Sequence, residues 1–549
     1  MKTYAKLLLL SSLLTGVVAG SIPAGAAASY ANPASEDVGH KIVSGAASLI
    51  GSFLNLPTAN NVSPTPSPVP NPLSAAASPI SGATATPAPA PSSVRFFPHG
   101  EDSLAARLAA IKSATQTIDI LTYIFQPCDS STKLLLDALV ERSQSGVAVR
   151  LTLDQLDISA DSSKLQGLTA YIAKINTLLA HPIEFRLYSH PAYGLPFNPE
   201  AADNRSHIKI LLIDAAGPNP VAFVGGRNNS DGYFGLSADM NYFDQDLMIS
   251  GAETAHKVLV NYNGILKYAS FSYPLNSVQG TSENFEAKCL AKSPRDQAVS
   301  DAISTKSLTI LDPATTPSYQ CSEIYFDMDD PRYRLSSLGN GVGDDDLNDA
   351  RLIYKTSSAL VLSFIEDTSN TLFAVNQYYI PVGKLKGALG AVRDAGKMVT
   401  IVTNSTGDAG PQLAARMTGL VTDAMKRDTV GTMMVYGLSS LGGLHDDGAL
   451  RISTAPWRIH TKTAVRDHND VLVSSFNFDS RSYQINAEDA VMVANCPALA
   501  QAMEVEYQKL IQVYVQDQSC QACQDESSTN LRALPLSPPA GMNPIDFLF

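Results

Sequence analysis

From Val94 onward, apolar residues recur with helical spacing in some stretches and as short buried runs in others. Ser103 to Ala114 places Leu104, Leu108 and Ile111 on one helical face. Thr117 to Phe125 then reads as a buried strand, Lys133 to Ser143 as a helix and Val147 to Leu153 as a strand. The succession returns later in the chain. Ala350 to Glu366 is expected to be a helix, Leu372 to Ile380 a strand, Gly383 to Ala395 a helix and Met398 to Thr403 a strand. Alternating strands and helices predict layered α/β units, and the repeat predicts two related ones.

Before Val94 this patterning stops. Lys2 and Lys6 precede a mostly apolar run from Leu7 to Gly20, followed by Ala24, Gly25, Ala26, Ala27 and Ala28. That is the charged, apolar, small-residue order of an export signal. The run is shorter than the ~20 residues that span a bilayer comfortably; an uncleaved anchor is the alternative. Pro, Ser, Ala and Thr dominate onward to Ser92, most clearly from Pro64 to Pro91. Such a segment buries too little apolar surface to offset its ordering entropy. Its apolar interruption, Ile42 to Leu56, suits a weakly ordered patch or a short helix on a membrane.

The expected organisation is a signal peptide over 1–28, a disordered tether over 29–92 and α/β domains over 93–300 and 350–515. A connecting segment fills 301–349 and a tail fills 516–549. Within the connection, Asp327 to Asp349 is acidic and contains Gly339, Gly341 and Gly343, without the regular spacing of a calcium loop.

Composition adds three constraints. With 549 residues, 45% of them apolar, the chain can build two cores. A net charge of -13 and pI near 5.1 argue against non-specific nucleic-acid binding, though a local basic pocket remains compatible. Six cysteines permit disulfides in an exported chain, with the pairing left open. Cys520-Gln-Ala-Cys523 lacks a second half of a zinc site, which favours bridging or free thiols there.

One short pattern occurs twice. His207-Ile208-Lys209 is followed by Asp214, and His460-Thr461-Lys462 by Asp467, with four residues between Lys and Asp in both copies. Each copy continues into two small residues, one variable residue and an Asn: Gly225-Gly226-Arg227-Asn228 and Ser474-Ser475-Phe476-Asn477. The second His lies 253 residues after the first. In a strand, His and Lys two residues apart share a face. A buried Lys needs an anionic partner, and a bound phosphate supplies one. Lys and Asn can then stabilise charge on a pentacoordinate phosphorus. One His can attack phosphorus while the other protonates the leaving alkoxide and later activates water or an alcohol. The scheme needs no metal or other cofactor.

Asp244 and Glu488 follow the two Asn residues at matching positions and can orient the imidazoles, or serve as strand-edge acids. Asp214 and Asp467 complete the repeated catalytic pattern and are counted with the catalytic set, although their spacing suggests a structural role at a turn or strand end. Arg227 and Arg481 suit a headgroup contact or surface ion pairs.

The paired motifs resemble those of the phospholipase D superfamily. GGRNNSDGYF from Gly225 to Phe234 and SSFNFDSRSYQINAE from Ser474 to Glu488 are similar to segments of bacterial cardiolipin synthase-like members, as is Thr403-Asn404-Ser405. The resemblance covers Val94 to Val515. It implies two pseudo-symmetric α/β sandwich domains with one active site at their interface, where His207 and Lys209 face His460 and Lys462. It also implies a phospholipid substrate at a membrane surface and hydrolysis or phosphatidyl transfer without a metal. Asn228 and Asn477 would hold phosphate. No nucleic-acid partner is expected, and a monomer suffices. The chain departs from the pattern in two places. Ten residues separate Asp214 from Gly225, where Gly217 to Pro220 reads as an enlarged turn, and Asp479-Ser480-Arg481 replaces Asp-Pro-Arg. The tether and export signal favour a secreted or surface-tethered enzyme. A nuclease of the same superfamily and a catalytically silent lipid- or phosphate-binding protein are the alternatives.

Overall fold

The computed structural model describes residues 92–154, 162–188, 205–271, 282–330, 355–404, 424–438, 455 and 457–519. The expected signal segment, nearly all of the expected tether, the apolar stretch from Ile42 to Leu56, and Cys520 and Cys523 lie outside them.

The first half contains β1 (Ser92–Phe97), α1 (Gly100–Ser113), β2 (Thr117–Thr122), α2 (Ser130–Gln144), β3 (Ala148–Asp154), α3 (Ser162–Asn176) and β4 (Glu184–Tyr188). It continues with β5 (Ile210–Ile213), β6 (Val221–Gly225), β7 (Asn241–Phe243), β8 (Asp246–Ser250), α4 (Ala252–Ala269), β9 (Ser270–Phe271), α5 (Ser282–Phe285), α6 (Pro294–Ser307) and β10 (Ser318–Cys321). The second contains β11 (Glu323–Met328), α7 (Thr356–Glu366), β12 (Thr371–Asn376), α8 (Gly383–Asp394), β13 (Met398–Asn404) and β14 (Met433–Leu438). It ends with β15 (Trp457–Ile459), β16 (Lys462–Arg466), β17 (Asp470–Ser474), β18 (Asp489–Ala494) and α9 (Pro497–Ser519).

Each half forms one large sheet. The first runs β10-β1-β8-β6-β5-β2-β3-β4-β9 and the second β11-β18-β17-β16-β12-β13-β14. Removing β10 and β9 leaves seven strands in the same order as the second sheet, so the repeat in the sequence is a repeat of topology. In both sheets, parallel strands joined through helices are flanked by antiparallel ones: β2 pairs parallel with β3 and antiparallel with β5, as β12 does with β13 and β16.

The strands are apolar because both faces are covered. Along β5, Ile210 and Leu212 enter a core shared by the two halves, while Leu211 and Ile213 face the core under α1, α2, α3 and α6. The shared core joins Leu121, Ile208 and Val224 of the first half to Val375, Val465 and Val491 of the second, with Val258 of α4 and Met503 of α9. A third cluster packs α7 and α8 on the outer face of the second sheet. The two halves are thus sheets packed through a common centre. Cystines join Cys128 to Cys289 and Cys321 to Cys496, the second one linking the halves.

The structure departs from the expected boundaries at the junction. Residues 301–307 finish α6, and the second sheet starts at Glu323 within the expected connection. The strand β11 is an edge strand with three half-exposed or exposed polar and aromatic positions, Glu323, Tyr325 and Asp327, so its apolar pattern is weak. The closing helix α9 also crosses the expected boundary at 515.

Candidate active site

The two His-Lys pairs lie where β5 and β16 begin, at the ends of the parallel strands beside them. The peptide N–H of His207 donates to Ala487 O at 2.8 Å, and that of His460 to Phe243 O at 2.8 Å. Each histidine is therefore tied to backbone of the opposite half; β15, leading into His460, pairs with β7.

The carboxylates cross in the same way. Glu488 Oε2 lies 2.8 Å from Nδ1 of His207, and Asp244 Oδ2 lies 2.6 Å from Nδ1 of His460. Nδ1 of His207 also faces Ser475 O at 2.9 Å. Both neighbours of that nitrogen are acceptors, so Nδ1 carries the proton and Nε2 presents its lone pair to the site.

Close approach of these carboxylates explains the second of the two small residues in each copy, Gly226 and Ser475. A Cβ at Gly226 would come 2.5 Å from Asp244 Oδ1. At the matching position, Ser475 turns its hydroxyl onto Glu488 Oε2 at 2.5 Å.

Lys209 and Lys462 are buried and donate to the carbonyls of His207 and His460 respectively. Lys462 also donates to Gln377 Oε1 at 2.9 Å and sits 3.2 and 3.3 Å from the ring nitrogens of His460. Burial pushes Lys209 down to about 8 and Lys462 to about 7, against the pull of Glu488, Asp244 and other acids. Burial likewise lowers His207 to about 4 and holds His460 well below its ordinary value, the latter with Lys462, Lys209 and His207 adding repulsion. The four groups feel one another across the interface, as halves of one site. Burial would raise Glu488, but His207, Lys209 and Ser475 more than offset it and bring it to about 2. At neutral pH the first pair is a neutral imidazole on a carboxylate.

Asn228 and Asn477 occupy equivalent buried turns after β6 and β17. Asn228 Oδ1 accepts from Ile124 N at 3.2 Å, while Nδ2, beside the Tyr233 hydroxyl, has no hydrogen-bond partner of normal geometry among the described residues. Asn477 donates its peptide N–H to Ser482 Oγ at 3.0 Å, and its Oδ1 has no hydrogen-bond partner among the described residues.

Asp214 and Asp467 are not brought to this cluster. They sit past the far ends of β5 and β16 at φ 48° and 53°. Asp214 accepts from the peptide N–H groups of Thr115, Gln116 and Thr117 and from the Thr115 hydroxyl, at 2.7 to 2.9 Å. Asp467 accepts from Ser369, Asn370 and Thr371. Both hold the start of the neighbouring strand, which corrects their place in the catalytic set. Arg227 is neither a surface group nor free to meet a headgroup: it is buried and donates to Asp246 Oδ2 at 2.9 Å and to the carbonyls of Tyr233 and Asp244. Arg481 is half-buried near Asp479 and Tyr378.

Of four further site residues, three carry no sequence signal, and Tyr233 is marked only as part of the segment from Gly225 to Phe234. Tyr123 packs edge-on to His207 at 5.2 Å between ring centres, and Lys209 lies 5.6 Å above its ring. Tyr233 and Tyr242 stack at 4.5 Å and meet His460 at 4.7 and 5.6 Å. Gln377 follows β12. Tyr233 falls inside the repeated segment, but its counterpart in the second half is Ser482, so internal comparison hides it.

Fold and site together define a two-domain protein whose pseudo-symmetric halves each lend one centre a histidine, a lysine and the carboxylate that faces the other half's histidine. Residues 108–263 and 362–511 match the family described as cardiolipin synthase, PLD-like domain, and the chain belongs to that family. Cardiolipin synthase C of Escherichia coli K12 is 27% identical over 412 residues, covering 73% of this chain and 81% of that one. An uncharacterised protein of Helicobacter pylori 26695 is 24% identical over 418 residues, covering 74% and 76%. Among solved structures, phosphatidylserine synthase of Haemophilus influenzae aligns over 76% of this chain and 86% of its own, with TM-score 0.49 and 14% identity.

Proposed function

We propose that the protein is a phospholipase D-like phosphodiesterase or phosphatidyltransferase that works through a phosphohistidine. The observation that carries this reading is the crossed pair of buried imidazoles, each with Nδ1 on a carboxylate. An entering phosphodiester anion offsets the charge of Lys209 and Lys462 and raises the proton affinity of both histidines. One histidine, as imidazolium, serves as acid. The other attacks phosphorus through Nε2, the P–O bond to the leaving group breaks, and the acid gives that alkoxide its proton. The acid, now neutral, takes a proton from water or an alcohol. That oxygen displaces the phosphohistidine nitrogen, and both imidazoles return to their starting states.

The substrate we infer is a phospholipid, because the family and its relative named cardiolipin synthase C point there. Export is part of the same proposal: the charged, apolar, small-residue start supports it, and two cystines suit an oxidising compartment. Among the described residues, no helix is long and apolar enough to cross a membrane.

The test is incubation of the purified chain with labelled phosphatidylglycerol, phosphatidylcholine and DNA, with and without chelator. Phosphatidic acid marks hydrolysis and cardiolipin marks transfer; both are expected to survive chelation. Cut DNA beside untouched lipid would overturn the lipid reading.

A further inference from the structure

Two buried cations hold the segments that carry the histidine-facing carboxylates, and they come from different places in the two halves. In the first half the cation is Arg227. It binds the carbonyls of Tyr233 and Asp244 and the carboxylate of Asp246, which Ser103 and Arg107 also hold. The equivalent position in the second half is Phe476, a buried apolar residue.

Lys355, at the start of α7, stands in for that arginine. It is fully buried and donates to Ser482 O at 2.9 Å, Asn486 O at 2.6 Å and Asp329 Oδ2 at 2.5 Å. Ser482 is the counterpart of Tyr233, so both cations grip the same turn. Asp329, also fully buried, holds the backbone of Glu488 on both sides. Its N–H donates to Glu488 O at 2.9 Å, and its Oδ2 accepts from Glu488 N at 3.1 Å. The turn held by Lys355 supplies Ser482 Oγ, which donates to Glu488 Oε1 at 2.7 Å and accepts from Asn477 N at 3.0 Å.

A buried ion pair is a poor source of stability, since desolvating the two ions offsets much of their attraction and apolar residues often do as well. A cation aimed at two carbonyls and one carboxylate instead fixes a turn in one geometry. We propose that Lys355, paired with Asp329, is the positioning residue for the Glu488–His207 pair, as Arg227 is for Asp244–His460. The proposal rests on the two-histidine site above.

The test reads the histidines directly, without turnover. The full chain is labelled with imidazole-15N histidine, and the low-field Nδ1–H resonances of His207 and His460 are assigned with His207→Asn and His460→Asn. Lys355→Met and Asp329→Asn are expected to shift or remove the His207 resonance and leave that of His460. Arg227→Met is expected to do the reverse. On a phospholipid substrate, Lys355→Met should lower kcat by up to about 10²-fold, as misplacement of a reacting group does, with KM little changed. An unmoved His207 resonance in folded Asp329→Asn, which keeps the core volume, would overturn the proposal. Equal shifts of both resonances would do so too, because they would mean general loosening. If the wild type cleaves no phosphodiester, the proposed reaction fails while the resonances still decide the positioning.

Discussion

Asp244 of the first half holds His460 of the second at 2.6 Å, and both side chains are buried. The reciprocal contact, Glu488 on His207, makes each half the orienting partner of the other. The proposed mechanism therefore needs both histidines together. His207→Ala and His460→Ala are each expected to lower turnover by ~10³-fold or more, the scale of losing a nucleophile or matched acid–base group. Rates within a few-fold of wild type in both variants, measured as phosphatidic acid or cardiolipin released, would sink the two-histidine mechanism.

The pH profile should be bell-shaped, with groups of the free site setting both limbs. Burial holds His207 at about 4, so its lone pair is lost only as pH falls through that value. Lys462 at about 7 and Lys209 at about 8 lose their charge as pH rises. The acid histidine, whose pKa burial keeps below its ordinary 6.5, loses its proton first, so kcat/KM should already fall below neutrality and fall more steeply between about 7 and 8, and Lys462→Arg should move only that second step upward because guanidinium stays protonated. A profile flat through this range would refute the assignment. Stability follows the same linkage: His207 binds its proton less tightly folded than at its ordinary 6.5, so folding loses stability as pH drops from 6.5 toward 4.

The large sheets were legible in the sequence because strands covered on both faces read as apolar runs, as Leu372 to Val375 does. The edge strand β11 was not, since solvent takes every other position and Asp327 and Asp329 resemble a loop. The paired His, Lys and Asn residues announced themselves by repetition. Their crossing did not: matching positions showed that Asp244 and Glu488 are equivalent, not which histidine each one faces. Lys355 and Asp329 belong to no repeat, because the first half uses Arg227 for the same task. Asp214 shows the opposite limit. A residue can complete a motif by spacing alone while serving the strand next door.

Asp214→Asn and Asp467→Asn should separate stability from activity. Burial works against the Asp214 carboxylate, but its bonds from Thr117, Thr115 and Gln116 hold it below the usual range. Its contribution is therefore present above the ordinary Asp pKa and lost as pH falls through the lowered value. Bonds to a charged acceptor are worth about 1.5–3 kcal/mol, so thermal or denaturant unfolding should register a loss of that order. Turnover of the folded protein should stay within a few-fold. A loss as deep as that of His207→Ala in an equally stable variant would return Asp214 to the chemistry.

Tyr233 breaks the pseudo-symmetry at the site. Its hydroxyl lies 3.5 Å from Nε2 of His460, the ring nitrogen not held by Asp244, where the second half has only Ser482. Burial keeps the phenol far above its ordinary pKa, so it stays a donor at every working pH. Tyr233→Phe keeps the ring stacked on Tyr242 and removes one hydrogen bond, worth about 0.5–1.5 kcal/mol. The expected result is a roughly two- to tenfold fall in kcat with little change in KM. An unchanged kcat would show that the hydroxyl plays no part in turnover.

The Cys321–Cys496 cystine joins β10 of the first sheet to the entry of α9 in the second half, closing a loop across 175 residues. It lies beside the Glu323–Ala494 pairing, at the end of β18 away from Glu488. Its influence should therefore fall on the unfolded chain and on docking of the halves rather than on the histidines. Cys321→Ser with Cys496→Ser should lower the unfolding free energy by about 2–4 kcal/mol, the usual effect of removing one cystine. Below the unfolding transition, kcat and its pH profile should match the wild type, because Asp244, Glu488 and their partners are held by hydrogen bonds at the other end of the sheets. If kcat collapses while circular dichroism still reports a folded chain, the shared core alone does not keep the two half-sites in register.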